Sequence, residues 1–316
     1  MILRLAHVEI AVDDLAAARG FYVDLLGFRE HAADARTLYL RASEELDAWS
    51  LKISLGAGPG LVHSGFRVAA PEDLEALERL HEDLGCPTAW APAGTELAQG
   101  EALRVLAPTG HRLEFFHDFD EIDPYDADGR LRLPMRATHL GGASPVARID
   151  HVSQRVPDMR AALDYWLGAL DFSASEMWLQ EDDTPRVAWV RRTPRSHDVA
   201  LGANPEPAFH HLAYAVGDPS ALLRAADLIG DARLQERLEW GPSRHGATNA
   251  FALYVLDPAG NRLELYTGDY VRDLDRPPLL WRPADYAKQG HSWWGSPPPE
   301  AFGATMPLVG DGWPGA

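Results

Sequence analysis

The chain repeats itself, and the repeat limits what it can fold into more than any other feature. HVEIAVDDLAAARGFYVDLLGF, from His7, lines up with HVSQRVPDMRAALDYWLGALDF, from His151. Both read as a strand beginning at a histidine, a polar turn, and an amphipathic helix ending in Leu-Gly-Phe or Leu-Asp-Phe. VLAPTGHRLEFF (Val105–Phe116) pairs with VLDPAGNRLELY (Val255–Tyr266). There a strand meets a Pro-x-Gly turn and returns carrying Glu114 or Glu264. HSGFRV, from His63, pairs with HLAYAV, from His211. Matches at successive places in the same order argue against accident and divide the chain into halves of one construction. Each half is expected to be α+β, built of two βαβββ modules over 4–60 and 61–120, then 148–205 and 208–268. Residues 121–147 would connect the halves. Residues 269–316 are rich in Pro and Trp and lack periodicity. They read as an arm packed over the second half, although a disordered tail has the same composition.

A length of 316 residues suits two ordinary domains. The net charge of −18 argues against nucleic acid or an anionic membrane surface as partner. It also means that an anionic substrate would need cations placed locally. The opening MILRLAHVEIAVDD turns acidic too soon for a signal peptide, and no apolar run reaches membrane length. Cys86 is the only cysteine, which excludes an internal disulfide, a cysteine zinc cluster and an iron–sulfur site. A cytoplasmic enzyme is the expectation.

FHHLAYAV, from Phe209, presents adjacent histidines at the entry to a strand. Strand neighbours point to opposite faces, so His210 and His211 are expected not to share a site. The repeat selects His211, the equivalent of His63. With His151 and Glu264 it completes the facial set of two histidines and one carboxylate that holds non-haem Fe(II) while leaving positions open. Singly, each residue is equally well a hydrogen-bonded core group; together, at repeated positions, they favour the ligand reading. His7, His63 and Glu114 repeat the set in the first half. The neighbours separate the two. Ten residues before each Glu stands Tyr254 in the second half and Arg104 in the first. A fixed guanidinium opposes a divalent cation, whereas a phenol can hydrogen-bond to a bound oxygen, or be simply a core aromatic. The second half also carries His197, His245 and Trp189, so the metal is expected there. The first set reads as a relic or a structural cluster, with a second metal left open.

These residues, with FYVDLLGF, TLYLRASEE, GPSRHGATNAF, YVLDPAGNRLELYTGDY and the final WWG, carry a resemblance spanning nearly the whole chain. The sequence resembles the type I extradiol catechol dioxygenases of the vicinal oxygen chelate superfamily, and is most similar to the branch that cleaves homoprotocatechuate. The resemblance implies two vicinal-oxygen-chelate domains and a C-terminal arm. It implies metal ligation by His151, His211 and Glu264, an acid–base histidine at His197, an active-site tyrosine at Tyr254, and substrate contacts from His245 and Trp189. Fe(II) is the implied cofactor, with Mn(II) possible because the same ligands suit both. A catechol and O2 are the implied partners, and a homo-oligomer, a tetramer, the implied assembly.

The departures concern the substrate. Relatives acting on aryl acetates hold the carboxylate with two arginines; Trp240 and His291 stand at or near those positions, and Ser153 replaces an asparagine beside the first ligand. Losing guanidinium contacts implies a broader preference, with neutral 4-substituted catechols handled comparably, unless Lys288 or Arg244 reaches the side chain. Two other activities occur in the same superfamily. Glyoxalase-type isomerases and transferases complete their site with a fourth protein ligand, and drug-sequestering proteins need no metal.

Overall fold

The computed structural model describes residues 2–123, 125, 128–131, 146–310 and 312–315. The first module begins with β1 (Ile2–Val12), passes through helix α1 (Leu15–Arg19) and a wider helical turn over Gly20–Leu25, and adds β2 (Arg29–Ala33), β3 (Thr37–Arg41) and β4 (Leu51–Leu55). The second comprises β5 (Gly60–Val68), α2 (Glu72–Asp83), β6 (Thr88–Ala91), β7 (Ala102–Leu106) and β8 (Arg112–Phe116). The second half opens with β9 (Val146–Val156), α3 (Met159–Leu163) and its wider turn over Asp164–Ala169, then β10 (Ser173–Leu179), β11 (Pro185–Arg191) and β12 (Val199–Ala203). It closes with β13 (Ala208–Val216), α4 (Pro219–Asp231), β14 (Leu238–Arg244), β15 (Phe251–Leu256) and β16 (Arg262–Thr267). This is the modular α+β order that the repeat predicts. Most of the expected connection, 132–145 with 124, 126 and 127, lies outside the described residues.

Each half forms one mixed sheet, ordered β2-β3-β4-β1-β5-β8-β7-β6 in the first. The second runs β14-β15-β16-β13-β9-β12-β11-β10, extended by β17 (Leu279–Trp281) from the arm. In both, the two histidine strands are antiparallel neighbours at the middle, and the Glu strand lies parallel beside the second of them. The local chemistry repeats too. Asp14 and Asp158 cap α1 and α3, each accepting from two backbone amides at 2.8–3.0 Å, a cap worth about 1 kcal/mol. The Pro-x-Gly turns close with Gly110 at φ 81° and Gly260 at φ 106°, a region that glycine enters without a Cβ penalty.

Alternation along the central strands sorts their side chains. Leu212, Tyr214, Val216, Leu253, Val255, Leu263 and Leu265 enter one core that runs through both halves, along with Val8, Ile10, Phe66 and Leu113. Phe28 meets Tyr214 edge-on at 4.7 Å, and Phe66 lies 5.7 Å from Trp166. Buried hydrogen bonds cross the same junction, from Tyr22 to Asp257 (3.1 Å) and between His81 and Tyr165 (2.8 Å). The intervening residues, His211, Ala213, Tyr254 and Glu264 among them, face the other side of their sheet.

The arm is ordered beyond the expectation for it. It contributes β17 to the second sheet, exchanges backbone bonds between Met306 and Phe209, and continues onto the first half. There Leu308 bridges Leu61, and Trp313 covers His63 with ring centroids 4.9 Å apart. Among the described residues no helix is long and apolar enough to cross a membrane.

Candidate active site

Strand register assembles the ligands. Ala213 on β13 pairs with His151 on one side and with Glu264 on the other, and His211 lies two residues away on the same face. The His151 and His211 Nε2 atoms are 3.2 Å apart, and each stands 3.1 Å from the same Glu264 oxygen. Three donors bound about 2.1 Å from a metal, on one face of an octahedron, would lie about 3 Å from each other. The group is buried and fits a divalent cation.

The protonation of the donors suits that role. Burial pushes the His211 imidazole down to about 3, so it is neutral. Against the upward push of burial, contact with the two facing imidazoles holds the Glu264 carboxyl well below the usual carboxylate range, so it is ionised; once both imidazole lone pairs turn inward, a cation between them takes over that role. Neutral imidazole and ionised carboxylate are the forms a metal binds.

Both outer imidazole nitrogens are satisfied in a way that directs the inner ones. His151 Nδ1 lies 2.8 Å from Asp150 Oδ2; the carboxylate can only accept, so Nδ1 carries the proton and Nε2 keeps its lone pair. His210 Nε2 donates to the Phe302 carbonyl at 2.8 Å, leaving its Nδ1 as acceptor. His211 Nδ1, 2.6 Å away, therefore donates to it, and His211 Nε2 also points a lone pair inward. Sequence reasoning passed over Asp150 and set His210 aside in favour of His211. Each sits at a β-bulge, where pairing jumps between Ala213/Tyr214 and between Phe209/His211. A bulge inserts one residue and breaks the alternation. The expectation that His210 and His211 cannot serve one site is thereby overturned: both line the same cavity.

That cavity has a volume of about 350 Å³ and is closed on one side by Tyr286, His291, Pro298 and Phe302 of the arm. His197, Tyr254, Trp189, His245, Ser153 and His291 all line it with the three ligands. The His197 ring lies 3.9 Å from that of His151, with Nδ1 2.9 Å from Ser196 Oγ and no protein partner at Nε2 among the described residues. Burial holds His197 well below its ordinary range, hence neutral. His245 Nδ1 donates to the His291 carbonyl at 2.6 Å, so its Nε2 accepts from the Tyr254 hydroxyl at 3.1 Å. Trp240 is the exception. It is not among the lining residues but stacks behind Tyr254 at 5.3 Å, its indole nitrogen bound to the Ser296 carbonyl. Lys288 and Arg244 do not line the cavity either; Arg244 is engaged by the Asn249 carbonyl and the Phe251 ring. Arg155 does. Its signal was the alternation itself, since 151, 153 and 155 share one face of β9.

The first half reproduces the register and not the surroundings. Gly65 pairs with His7 and Glu114, as Ala213 does with its counterparts, and the three side chains converge. Both Glu114 oxygens are taken, one by Gln99 and one by Arg104, each at 2.8 Å. The His7 ring fills the space a Cβ at Gly65 would occupy, and its Nδ1 has no partner among the described residues. Trp49 and Phe116 pack on His7, and all three potential ligands are fully buried.

Comparison with known proteins agrees with this geometry. Residues 148–265 match the family model described as the Glyoxalase/Bleomycin resistance protein/Dioxygenase superfamily. Residues 61–119 match the catechol 2,3-dioxygenase-like N-terminal domain, and 4–31 the bleomycin resistance protein-like N-terminal model. A metapyrocatechase of Pseudomonas sp. (strain CF600) is 31% identical, over 91% of this chain and 93% of its own. A manganese-dependent 2,3-dihydroxybiphenyl 1,2-dioxygenase of Geobacillus genomosp. 3 is 28% identical, over 93% and 94%. The crystal structure of homoprotocatechuate 2,3-dioxygenase from Arthrobacter globiformis superposes with a TM-score of 0.89 at 34% identity, covering 98% of this chain and 93% of that one.

Proposed function

The chain belongs to the extradiol catechol dioxygenases of the glyoxalase/bleomycin resistance/dioxygenase superfamily, and within that ring-cleaving chemistry we propose the following division of labour in the cavity. The enzyme inserts O2 into a catechol and opens the ring beside the diol, giving a muconic semialdehyde. Its cofactor is Fe(II) or Mn(II), held by the Nε2 atoms of His151 and His211 and the carboxylate of Glu264. Bound there, such a metal would polarise the diol and carry electron density from the ring to O2.

The surrounding residues handle protons and position. His197, neutral and unpartnered at Nε2, accepts a proton from a catechol hydroxyl and returns it as the O–O bond breaks. The buried Tyr254 hydroxyl, which donates to His245 Nε2 before substrate binds, turns its one proton from His245 to a reacting oxygen where charge develops. Trp189 walls the ring position, with Ser153, His245 and His291 around the substituent. Trp240 acts at one remove, by holding the plane of Tyr254. The substrate is homoprotocatechuate or a related 4-substituted catechol. The functional units are 1–120, non-catalytic; 121–147, connecting; 148–268, catalytic; and 269–316, covering the cavity. We further propose a cytoplasmic homo-oligomer, a tetramer. Exposed Leu279, Leu280, Trp293 and Trp294 on the arm support an associating surface.

The observation that carries the reading is the convergence of two directed imidazole lone pairs and one carboxylate at the base of a cavity. The test is oxygen uptake across a panel of catechols with the metal-loaded protein. One O2 should be consumed per catechol, with a yellow product. In His197→Phe the metal content should stay unchanged while turnover falls roughly 10²–10⁴-fold, the usual worth of a positioned acid–base. Hemithioacetal isomerisation without oxygen uptake would refute ring cleavage.

A further inference from the structure

The cavity contains a cation without a carboxylate. Arg155 follows His151 and Ser153 along the same face of β9, and its side chain lines the cavity. Its polar contacts within the protein are Nη1 to Ser153 Oγ at 3.0 Å and to its neighbour's carbonyl, Gln154 O, at 3.5 Å. Among the described residues no Asp or Glu pairs with it. That is unusual in a chain with 47 acidic residues against 29 Lys and Arg, where arginines around the site are engaged: Arg262 by Glu239, and Arg195 by Asp150 and Asp269.

The position is built for this side chain. Gly202 is its cross-strand neighbour on β12, and a Cβ there would stand 2.7 Å from Nη1 and 3.1 Å from the guanidinium carbon. Ser153 is small enough to leave the path open, and its hydroxyl draws the guanidinium back toward His151. Strand spacing separates the two Cα atoms by about 13 Å, a span that a chelated ring with a short side chain bridges to a long Arg side chain. The same place in the first half is Ala11, with Glu9 where Ser153 stands, so the arrangement belongs to the catalytic half alone.

Leaving this charge half-buried and unpaired is costly. Burial lowers the Arg155 guanidinium to about 10, and Arg262 and Arg186 nearby act in the same direction. It remains a cation at neutral pH, and what it lacks is an anion from outside the chain. His291, on the arm across the cavity, is neutral, pushed down to about 4 by burial, and offers no competing negative charge.

We propose that the guanidinium of Arg155 binds an anionic substituent on the substrate ring, so that the enzyme selects catechols bearing a carboxylate over neutral ones. The inference rests on the ring-cleavage reading and replaces the broader preference expected from the residues at 240 and 291. The cation has moved to another strand rather than been lost.

The test compares kcat/KM for 3,4-dihydroxyphenylacetate with that for 4-methylcatechol in the wild type, Arg155→Met and Arg155→Lys. The wild type should favour the acid by more than about tenfold. That ratio should drop about ten- to a hundredfold in Arg155→Met, the worth of one charge-assisted contact, and recover in part in Arg155→Lys. Calorimetry with 4-hydroxyphenylacetate and 4-methylphenol, which have a single hydroxyl, gives a readout free of turnover. Binding of the acid should weaken at least tenfold relative to the cresol in Arg155→Met. An unchanged ratio in both measurements, or a wild type indifferent to the carboxylate, overturns the assignment. If neither catechol is cleaved, ring cleavage fails, and calorimetry still decides whether Arg155 holds the anion.

Discussion

His63 and His211 occupy the same position of two sheets with the same register, and the two histidines are held in opposite states. Burial opposes charge on both. At His63, the Glu114 and Glu9 carboxylates overcome it and raise the imidazole to about 9. At His211 the Glu264 carboxylate does not, and the imidazole falls to about 3. Glu9 becomes Ser153 in the second half; Ala6 becomes Asp150, which satisfies His151 from behind; Val62 becomes His210, which satisfies His211. Arg104, bound to Glu114, becomes Tyr254, whose hydroxyl turns to His245. The first cluster thus closes on itself as a buried network of ions. The second turns its lone pairs toward one another at the base of a cavity. The same three residue types thus stand in two different surroundings, and under our proposal only the second set holds a metal. What decides is which groups satisfy the rest of each ligand, and whether a cavity remains.

The sharpest way to break this comparison is to remove equivalent histidines. His211→Ala should abolish metal binding and turnover together. His7→Ala should leave about one metal per chain and turnover within a few-fold of wild type. Elemental analysis alongside oxygen uptake reads both, and a stoichiometry near two that falls to one in His7→Ala would make the halves alike after all.

A smaller effect should come from the group behind the ligand. His210→Phe keeps a ring at the bulge but removes the acceptor for His211 Nδ1, freeing the imidazole to choose its tautomer. Metal affinity should weaken about ten- to a hundredfold, the usual worth of such a partner, while binding still saturates. Competition with a chelator measures it, and an unchanged affinity would show that His210 merely fills space.

The smallest effect lies in the first half and appears as pH-dependent stability. His63 has a folded-state pKa raised from the ordinary 6.5 to about 9. Its contribution is fully present below the unfolded value and is lost as pH rises through about 9. The wild-type melting temperature should therefore fall more between pH 7 and 10 than that of His63→Phe, by roughly 3 °C or more. Parallel curves would mean that His63 is neutral and the network is not ionic.

Much of this was readable in the sequence because the repeat made it so. Three aligned stretches located His151, His211 and Glu264, and the ten-residue step back from each Glu set Arg104 against Tyr254; across neighbouring strands Arg104 pairs with Glu114 and Tyr254 with Glu264. A period of two and a Pro-x-Gly turn are local properties, set by side chains a few residues apart, and they survive folding unchanged. Tertiary structure decided what depended on two strands at once. The bulges at Asp150 and His210 arise from how β9 and β13 pair, so a rule written for one strand set His210 on the wrong face and gave no sign of Asp150. Trp240 aligns with a substrate-binding position yet lies behind Tyr254, because its indole found the Ser296 carbonyl of the arm. Arg155 reaches the cavity because Gly202, 47 residues away and on another strand, leaves room for it. The sequence alone determined the candidate ligands and the chain order that delivers them; the space around them belongs to neighbours that only packing brings together.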